Sequence, residues 1–289
     1  MIVLLGPTAS GKSAYAVKLA KELGGEVVGA DAVQIYRDLV VGSAAPTPEE
    51  RGDIPHHLIG ILDLAKDINA GTYIELARPV VEGIIARGRV PILVGGTNFY
   101  VDAFLNGLSP VPELDEEKKE AFAAHCEGRP TAELFAELQA ADPRWADAIS
   151  SPNDRQRILR GLEVLHLTGT PLSVWNERPR ERGWSGPYRK IALLVDRETL
   201  HERIVARTRK MLGDGLQGEV SAIRAKGFSP ANCRVLGSIG YREAFDHLDG
   251  RIASKEELEE LIVIHTRQLA KRQMTWLKGD PEIAWIAGA

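Results

Sequence analysis

The densest set of chemistry-bearing residues stands at the start of the chain. Gly6-Pro7-Thr8-Ala9-Ser10-Gly11-Lys12-Ser13 fills the phosphate-loop pattern completely, two glycines five apart followed by Lys-Ser. In such a loop the backbone N–H groups of Gly6, Thr8, Ala9, Ser10 and Gly11 and the positive end of the following helix converge on one anion. Lys12 adds a full charge, and the Ser13 hydroxyl suits a magnesium ion that shares the anion. The loop therefore predicts a bound phosphate or diphosphate, against the plainer alternative of a Gly-rich turn. Asp31 and Thr97 follow two other apolar runs, Glu26-Val27-Val28-Gly29-Ala30 and Val90-Pro91-Ile92-Leu93-Val94. In an open parallel sheet the ligand crevice lies beyond the carboxyl ends of the strands, so both would share an edge with the phosphate loop. A carboxylate there acts as a base or caps the residues after it, Gln34 to Arg37, and both readings stand at this point. Thr97 comes after Gly95-Gly96, a pair that allows close backbone approach to a ligand and serves a strand-to-helix turn equally well. Arg203 and Arg207 lie four apart, on one face of a helix.

These groups need a scaffold, and the periodicities supply one. Met1-Ile2-Val3-Leu4-Leu5 reads as a buried strand, and Ala16, Leu19, Ala20 and Leu23 follow at helical spacing until Gly24-Gly25 stops the helix. Residues 73–87 and 200–212 are helical by the same test, and Ile191-Ala192-Leu193-Leu194-Val195-Asp196 is another strand. An apolar run that ends on Asp196 resembles the second magnesium-binding motif of nucleotide hydrolases. The adjacent His56 and His57 point to opposite sides of an extended segment and read as structural. Strands alternating with helices predict an α/β fold, a P-loop NTPase-like parallel sheet flanked by helices. From Pro110-Val111-Pro112 the pattern changes. Residues 113–125, 131–140 and 142–149 read as short helices with acidic faces, which predicts an inserted all-helical subdomain. The expected division is a core of residues 1–112 and 187–289 with an insertion at 113–186. Ser151-Pro152-Asn153-Asp154 reads as a helix start capped by Ser151. The helix it opens carries Ile158, Leu159, Leu162 and Leu165 on one side and Gln156, Arg157 and Arg160 elsewhere. A last helix, within 258–277, ends in Lys271, Arg272, Gln273 and Trp276.

Composition bounds the possibilities. The chain has 289 residues, 44% hydrophobic and 26% charged, ordinary globular values, and no run long enough to span a membrane. No signal-peptide pattern opens the chain, so cytoplasm is the expectation. Cys126 and Cys233 lack metal or disulfide spacing. Net charge is −4, yet residues 151–210 hold 13 basic against 7 acidic side chains, a local excess that would suit a polyanion or a solvated face.

In order along the chain, the phosphate loop, Asp31 with Gln34, Tyr36 and Arg37, Pro55-His56-His57-Leu58, Gly95-Gly96-Thr97 with Tyr100, Gln156-Arg157 with Arg160, Gly240-Tyr241-Arg242-Glu243 and the Lys271-Arg272-Gln273 segment with Thr275-Trp276 resemble the bacterial tRNA dimethylallyltransferases. Two positions depart from that family's habit: Ala32 replaces a Ser, removing a hydroxyl close to the substrate adenine, and Gly60 replaces an acidic residue. The resemblance implies transfer of a dimethylallyl group from dimethylallyl diphosphate to N6 of the adenosine at tRNA position 37, 3′ of the anticodon, with Mg2+. It implies Asp31 as the base, Thr97 on the leaving diphosphate, and Arg207 rather than Arg203 as the arginine that neutralises it. The implied grip on tRNA begins with Asp31, Ala32, Val33, Gln34 and Thr97. It extends to Lys119, Gln156, Arg157 and Arg160 in the insertion. Gly237, Tyr241 and Arg242, then Lys271, Arg272, Gln273 and Trp276, complete it. On this reading the phosphate loop holds a diphosphate leaving group and need not bind ATP, and no membrane or obligate protein partner is called for. A phosphate-loop kinase using Asp196 for magnesium, an enzyme that prenylates free adenine nucleotides, and a non-catalytic RNA-binding module are the rival expectations.

Overall fold

The computed structural model describes residues 1–288, so the final residue of the expected core, Ala289, lies outside the described residues. Among the described residues six strands form one sheet: β1 (Ile2–Leu5), β2 (Gly25–Gly29), β3 (His56–His57), β4 (Val90–Val94), β5 (Arg189–Leu194) and β6 (Ile283–Ala287). Their order is β3-β2-β4-β1-β5-β6 and every pairing is parallel. Parallel strands need crossover helices that cover both faces, which is why β1 and β4 are continuous apolar runs with Val3, Leu4, Leu5, Ile92 and Leu93 fully buried. The chain lays β2, β3 and β4 on one side of β1 and β5 and β6 on the other, so the switch in direction falls at the C-terminal end of β1, where the phosphate loop begins.

Four helices accompany the first half of this sheet: α1 (Lys12–Leu23), α2 (Pro48–Arg51), α3 (Ala70–Ala86) and α4 (Asn98–Asn106). α1 leaves the phosphate loop through Gly11 at φ 89° and stops at left-handed Gly24, whose N–H bonds to Ala20 O. Its Ala16 and Ala20 pack on Leu4, Val27, Ile92 and Leu193, small residues that let the helix lie close to the sheet. The insertion then contributes α5 (Glu116–Cys126), α6 (Thr131–Ala141), α7 (Pro143–Ala148), α8 (Arg155–Thr168) and α9 (Leu172–Asn176). After β5 come α10 (Arg197–Gly213), α11 (Leu216–Ala225), α12 (Tyr241–Leu248) and α13 (Lys255–Lys278).

The chain forms two compact units, residues 1–105 with 185–288 and residues 106–184. The second therefore begins earlier than the sequence pattern places it. Leu108 and Glu181 exchange backbone hydrogen bonds of 2.9 and 2.8 Å, and Val111 packs on the cluster of Leu114, Val164 and Leu172, so the proline segment belongs with the helices. The main core of this unit is Phe122, Leu134, Leu138, Ile149, Ile158 and Leu162. The cap of α8 differs from expectation. Asp154, not Ser151, accepts the N–H of Arg157 at 3.2 Å, while the Ser151 hydroxyl accepts the N–H of Asn153 in the preceding turn. Both residue types cap well, and the helix starts after the one whose third successor carries the free donor.

Candidate active site

The phosphate loop is shaped by backbone conformations that few residues adopt. Gly6 has φ 147°, Ala9 lies in the left-handed region at φ 63° and Gly11 at φ 89°, so successive N–H groups turn toward one concavity at the start of α1. Lys12 folds back and donates to Pro7 O at 2.7 Å. Burial lowers its ammonium pKa to about 8; the nearby Arg207 charge adds to the effect and Asp31 opposes it. Ser10 is buried with its hydroxyl unpartnered, whereas Ser13 stands exposed on the first turn of α1.

Two residues past β2, Asp31 faces this loop. Its Oδ1 accepts the N–H groups of Val33 and Gln34 at 2.9 and 3.2 Å. Its Oδ2 has no hydrogen-bond partner among the described residues and lies against Gly96, where a Cβ would stand 2.9 Å away. The two readings of this carboxylate thus divide between its two oxygens: one caps the turn and the other is available. Thr97 follows on the β4 edge. Its Oγ1 accepts the N–H of Ala32 at 2.9 Å and its own N–H donates to Ala30 O at 3.2 Å, which ties the two strand ends together. Gly95 makes this approach possible, since any Cβ there would sit 1.9 Å from Ala30 O.

α10 brings both arginines to the loop, one turn apart. Arg207 donates from Nη1 to Thr8 Oγ1 at 2.9 Å and from Nη2 to Ser43 O at 3.2 Å, while Arg203 reaches Ser10 O at 3.5 Å. Burial lowers the Arg207 pKa, yet a guanidinium remains a cation at neutral pH. The helix starts at Asp196, whose carboxylate accepts the N–H of Thr199 at 2.9 Å and is held below its usual range by hydrogen bonding to the Thr199 side chain and then to its backbone. Asp196 thus serves as the N-cap of α10 through one of its two carboxylate oxygens. From α13, Gln273 accepts the N–H of Thr8 at 2.8 Å and donates to Gly96 O at 2.7 Å, joining the phosphate loop to the Gly96-Thr97 edge. Three cationic side chains and one available carboxylate oxygen therefore gather around a nest of amides.

Two family models match the chain: one described as IPP transferase over residues 34–280 and one described as isopentenyl transferase over residues 1–56. A relative from Stenotrophomonas maltophilia (strain K279a) named tRNA dimethylallyltransferase is 43% identical across 99% of this chain and 91% of its own. One from Pelobacter propionicus, named tRNA dimethylallyltransferase 1, is 43% identical across 99% and 92%. The chain belongs to the tRNA dimethylallyltransferase family. Among solved structures, the tRNA isopentenylpyrophosphate transferase of Bacillus halodurans superposes with a TM-score of 0.71 at 34% identity, covering 99% of this chain and 89% of that one. A eukaryotic dimethylallyltransferase captured acting on tRNA gives 0.80 at 27% identity, covering 100% and 74%.

The residues that the family resemblance points to as RNA contacts fall into different environments. Ala32, Val33 and Gln34 form the turn after Asp31, with Gln34 Nε2 donating to Ser43 O and Ala44 O, both at 3.2 Å. Gly237, Arg242, Lys271, Arg272 and Trp276 are exposed in the sheet unit. In the helical unit Gln156, Arg157 and Arg160 are exposed along α8; Arg160 pairs with Glu163 at 2.6 Å, and Lys119 pairs with Glu116 at 2.6 Å. Gln273 and Tyr241 do not present themselves in this way. Gln273 is 6% exposed and spent on the two loops, and Tyr241 is 0% exposed. The expected histidine pair is structural: Glu26, buried at the other end of the sheet, meets His57 at 2.7 Å and Arg87 at 2.8 Å. Burial pushes the Glu26 carboxyl up, and the hydrogen bonds from Arg87 and His57 outweigh it and hold the pKa low.

Proposed function

We propose that this protein transfers the dimethylallyl group of dimethylallyl diphosphate to N6 of the tRNA adenosine at position 37, releasing diphosphate. The observation that carries the reading is the available Oδ2 of Asp31 on the same sheet edge as a complete phosphate loop and Arg207. The bond from the allylic carbon to the diphosphate oxygen breaks as the N6–carbon bond forms, and the N6 proton passes to Asp31 Oδ2. Lys12, Arg207 and the loop amides take up the charge that grows on the departing diphosphate. Thr97, fixed between the strand ends, positions that diphosphate.

The donor set fits magnesium rather than a metal that needs a protein cage. No group of three or more His, Cys, Asp or Glu is placed to hold a metal among the described residues, and Ser13 offers one exposed hydroxyl at the mouth of the phosphate loop. Mg2+ is suited to such a site because it keeps waters and binds through substrate phosphates; when bound it offsets diphosphate charge.

An adenosine reaches such a crevice only unstacked, at a cost of a few kcal/mol, so the flanking RNA must be gripped. The exposed Gln156, Arg157 and Arg160 of the helical unit and Lys271, Arg272 and Trp276 of α13 supply charge and a stacking surface for the anticodon stem-loop. The tRNA acceptor calls for a protein that works in the cytoplasm; separately, among the described residues no helix is long and apolar enough to cross a membrane. Labelled dimethylallyl diphosphate offered in parallel to unmodified tRNA and to AMP tests the reading. Label in tRNA alone is expected; label in AMP alone reassigns the protein to nucleotide prenylation, and label in neither removes the proposal.

A further inference from the structure

Glu219 takes part in no motif, yet it makes four hydrogen bonds to one functional loop and its support. Its Oε2 accepts the N–H groups of Val40 and Val41 at 3.0 and 2.8 Å; its Oε1 accepts the N–H of Gly42 at 3.0 Å and the hydroxyl of Tyr241 at 2.7 Å. The Tyr241 oxygen in turn accepts the next amide, Ser43 N–H, at 3.1 Å. Four consecutive amides, residues 40–43, are therefore satisfied by one carboxylate and one phenol. The fit is close. A Cβ on Gly42 would lie 2.5 Å from Tyr241 Cζ and 2.8 Å from Leu216 Cδ1, so the backbone rests directly on the aromatic ring.

The loop held in this way carries a catalytic load. The Ser43 carbonyl accepts Arg207 Nη2 at 3.2 Å and Gln34 Nε2 at 3.2 Å. Arg207 is the arginine that reaches Thr8 of the phosphate loop, and the backbone N–H of Gln34 is one of the two that hold Asp31 Oδ1. A bare loop would have to find partners in water for four amides, and its carbonyl would wander with it. Instead, the side of Arg207 away from the phosphate loop meets a fixed acceptor.

We infer that Glu219, through Tyr241 and the 40–43 backbone, is a positioning residue that sets Arg207 against the leaving diphosphate. The inference rests on the reading of Arg207 as the leaving-group arginine. It also gives buried Tyr241 a role in the enzyme that does not require contact with RNA.

Glu219→Gln is the direct perturbation: it replaces one acceptor oxygen with an NH2 that faces donors only. Transfer from dimethylallyl diphosphate to tRNA, compared in the wild-type and Arg207→Ala backgrounds with melting temperatures recorded for each variant, forms a double-mutant cycle. Glu219→Gln is expected to lower kcat about tenfold in the wild-type background and less than about threefold once Arg207 is gone, with the KM for tRNA unchanged. An equal loss in both backgrounds would overturn the inference, because a merely structural residue adds its effect to any other. If Glu219→Gln does not fold, Tyr241→Phe, which removes one hydroxyl and keeps the ring, goes through the same cycle with the same two outcomes. Should Arg207→Ala alone leave transfer intact, the leaving-group assignment fails, and that result is distinct from additivity of the two losses.

Discussion

Removing the phosphate-loop lysine should stabilise the empty protein while destroying donor binding. Lys12 is a cation held beside Arg207 in a largely desolvated loop, and its pKa falls from 10.5 to about 8. At about 1.36 kcal/mol per unit, that shift bounds the folding penalty at about 3 kcal/mol. The side chain is partly solvated and gains a hydrogen bond to Pro7 O, so about 1 kcal/mol net is the expected cost at neutral pH. The folded pKa lies below the unfolded one, so the penalty is complete below pH 8 and fades as the pH rises from 8 to 10.5, where the unfolded chain binds more protons than the folded one. Lys12→Met, which keeps the length of the side chain, should therefore melt about 2–4 °C higher than wild type at pH 7, with the gap closing by about pH 10.5. Calorimetry at the two pH values reads the stability, and titration with diphosphate and magnesium reads the binding, which should be lost. A variant that melts lower at pH 7, or a gap that does not narrow with pH, would refute the electrostatic account of the loop.

Three other outcomes follow from the same geometry. The KM for dimethylallyl diphosphate should climb as pH rises through about 8, because the donor then meets a neutral Lys12, whereas affinity for tRNA should show no matching step. Gly95→Ala places a methyl 1.9 Å from Ala30 O, between two central strands, and should cost at least about 3 kcal/mol, seen as a large drop in urea midpoint or loss of soluble protein. Gln273→Leu strands the N–H of Thr8 and the carbonyl of Gly96, so it should lower stability by about 2 kcal/mol and depress kcat more than tRNA affinity, measured by melting and by filter binding.

The phosphate loop, its strand and its helix are legible in the sequence because each is local: five apolar residues, a fixed motif and 3.6-residue periodicity, all within two dozen positions. The short edge strand β3 carries too few residues to show a period, and β6 follows the long α13 without a motif of its own. Asp31 and Thr97 are readable because they end apolar runs. The jobs of Gln273, Tyr241 and Glu219 are not, because each is defined by partners far away in the chain. Tyr241 and Gln273 sit in segments whose family resemblance suggests RNA, but folding turns both side chains inward. Glu219 reads as an ordinary polar residue on an amphipathic helix until the 40–43 amides are laid across it. Ser43 meets Arg207 through its backbone carbonyl, which no side-chain pattern reveals.

The proposed chemistry turns on Asp31 Oδ2 taking the proton from the acceptor amine. Asp31→Asn preserves an acceptor oxygen for the Val33 and Gln34 amides and removes the basicity, so it isolates chemistry from folding. The direct measurement is single-turnover transfer of labelled dimethylallyl group to tRNA by this variant, alongside its tRNA affinity. Asp31→Asn should lose at least about a hundredfold in rate, the usual scale for removing a general base, with tRNA binding within about twofold of wild type. Near-normal transfer by this variant would contradict that role for Asp31.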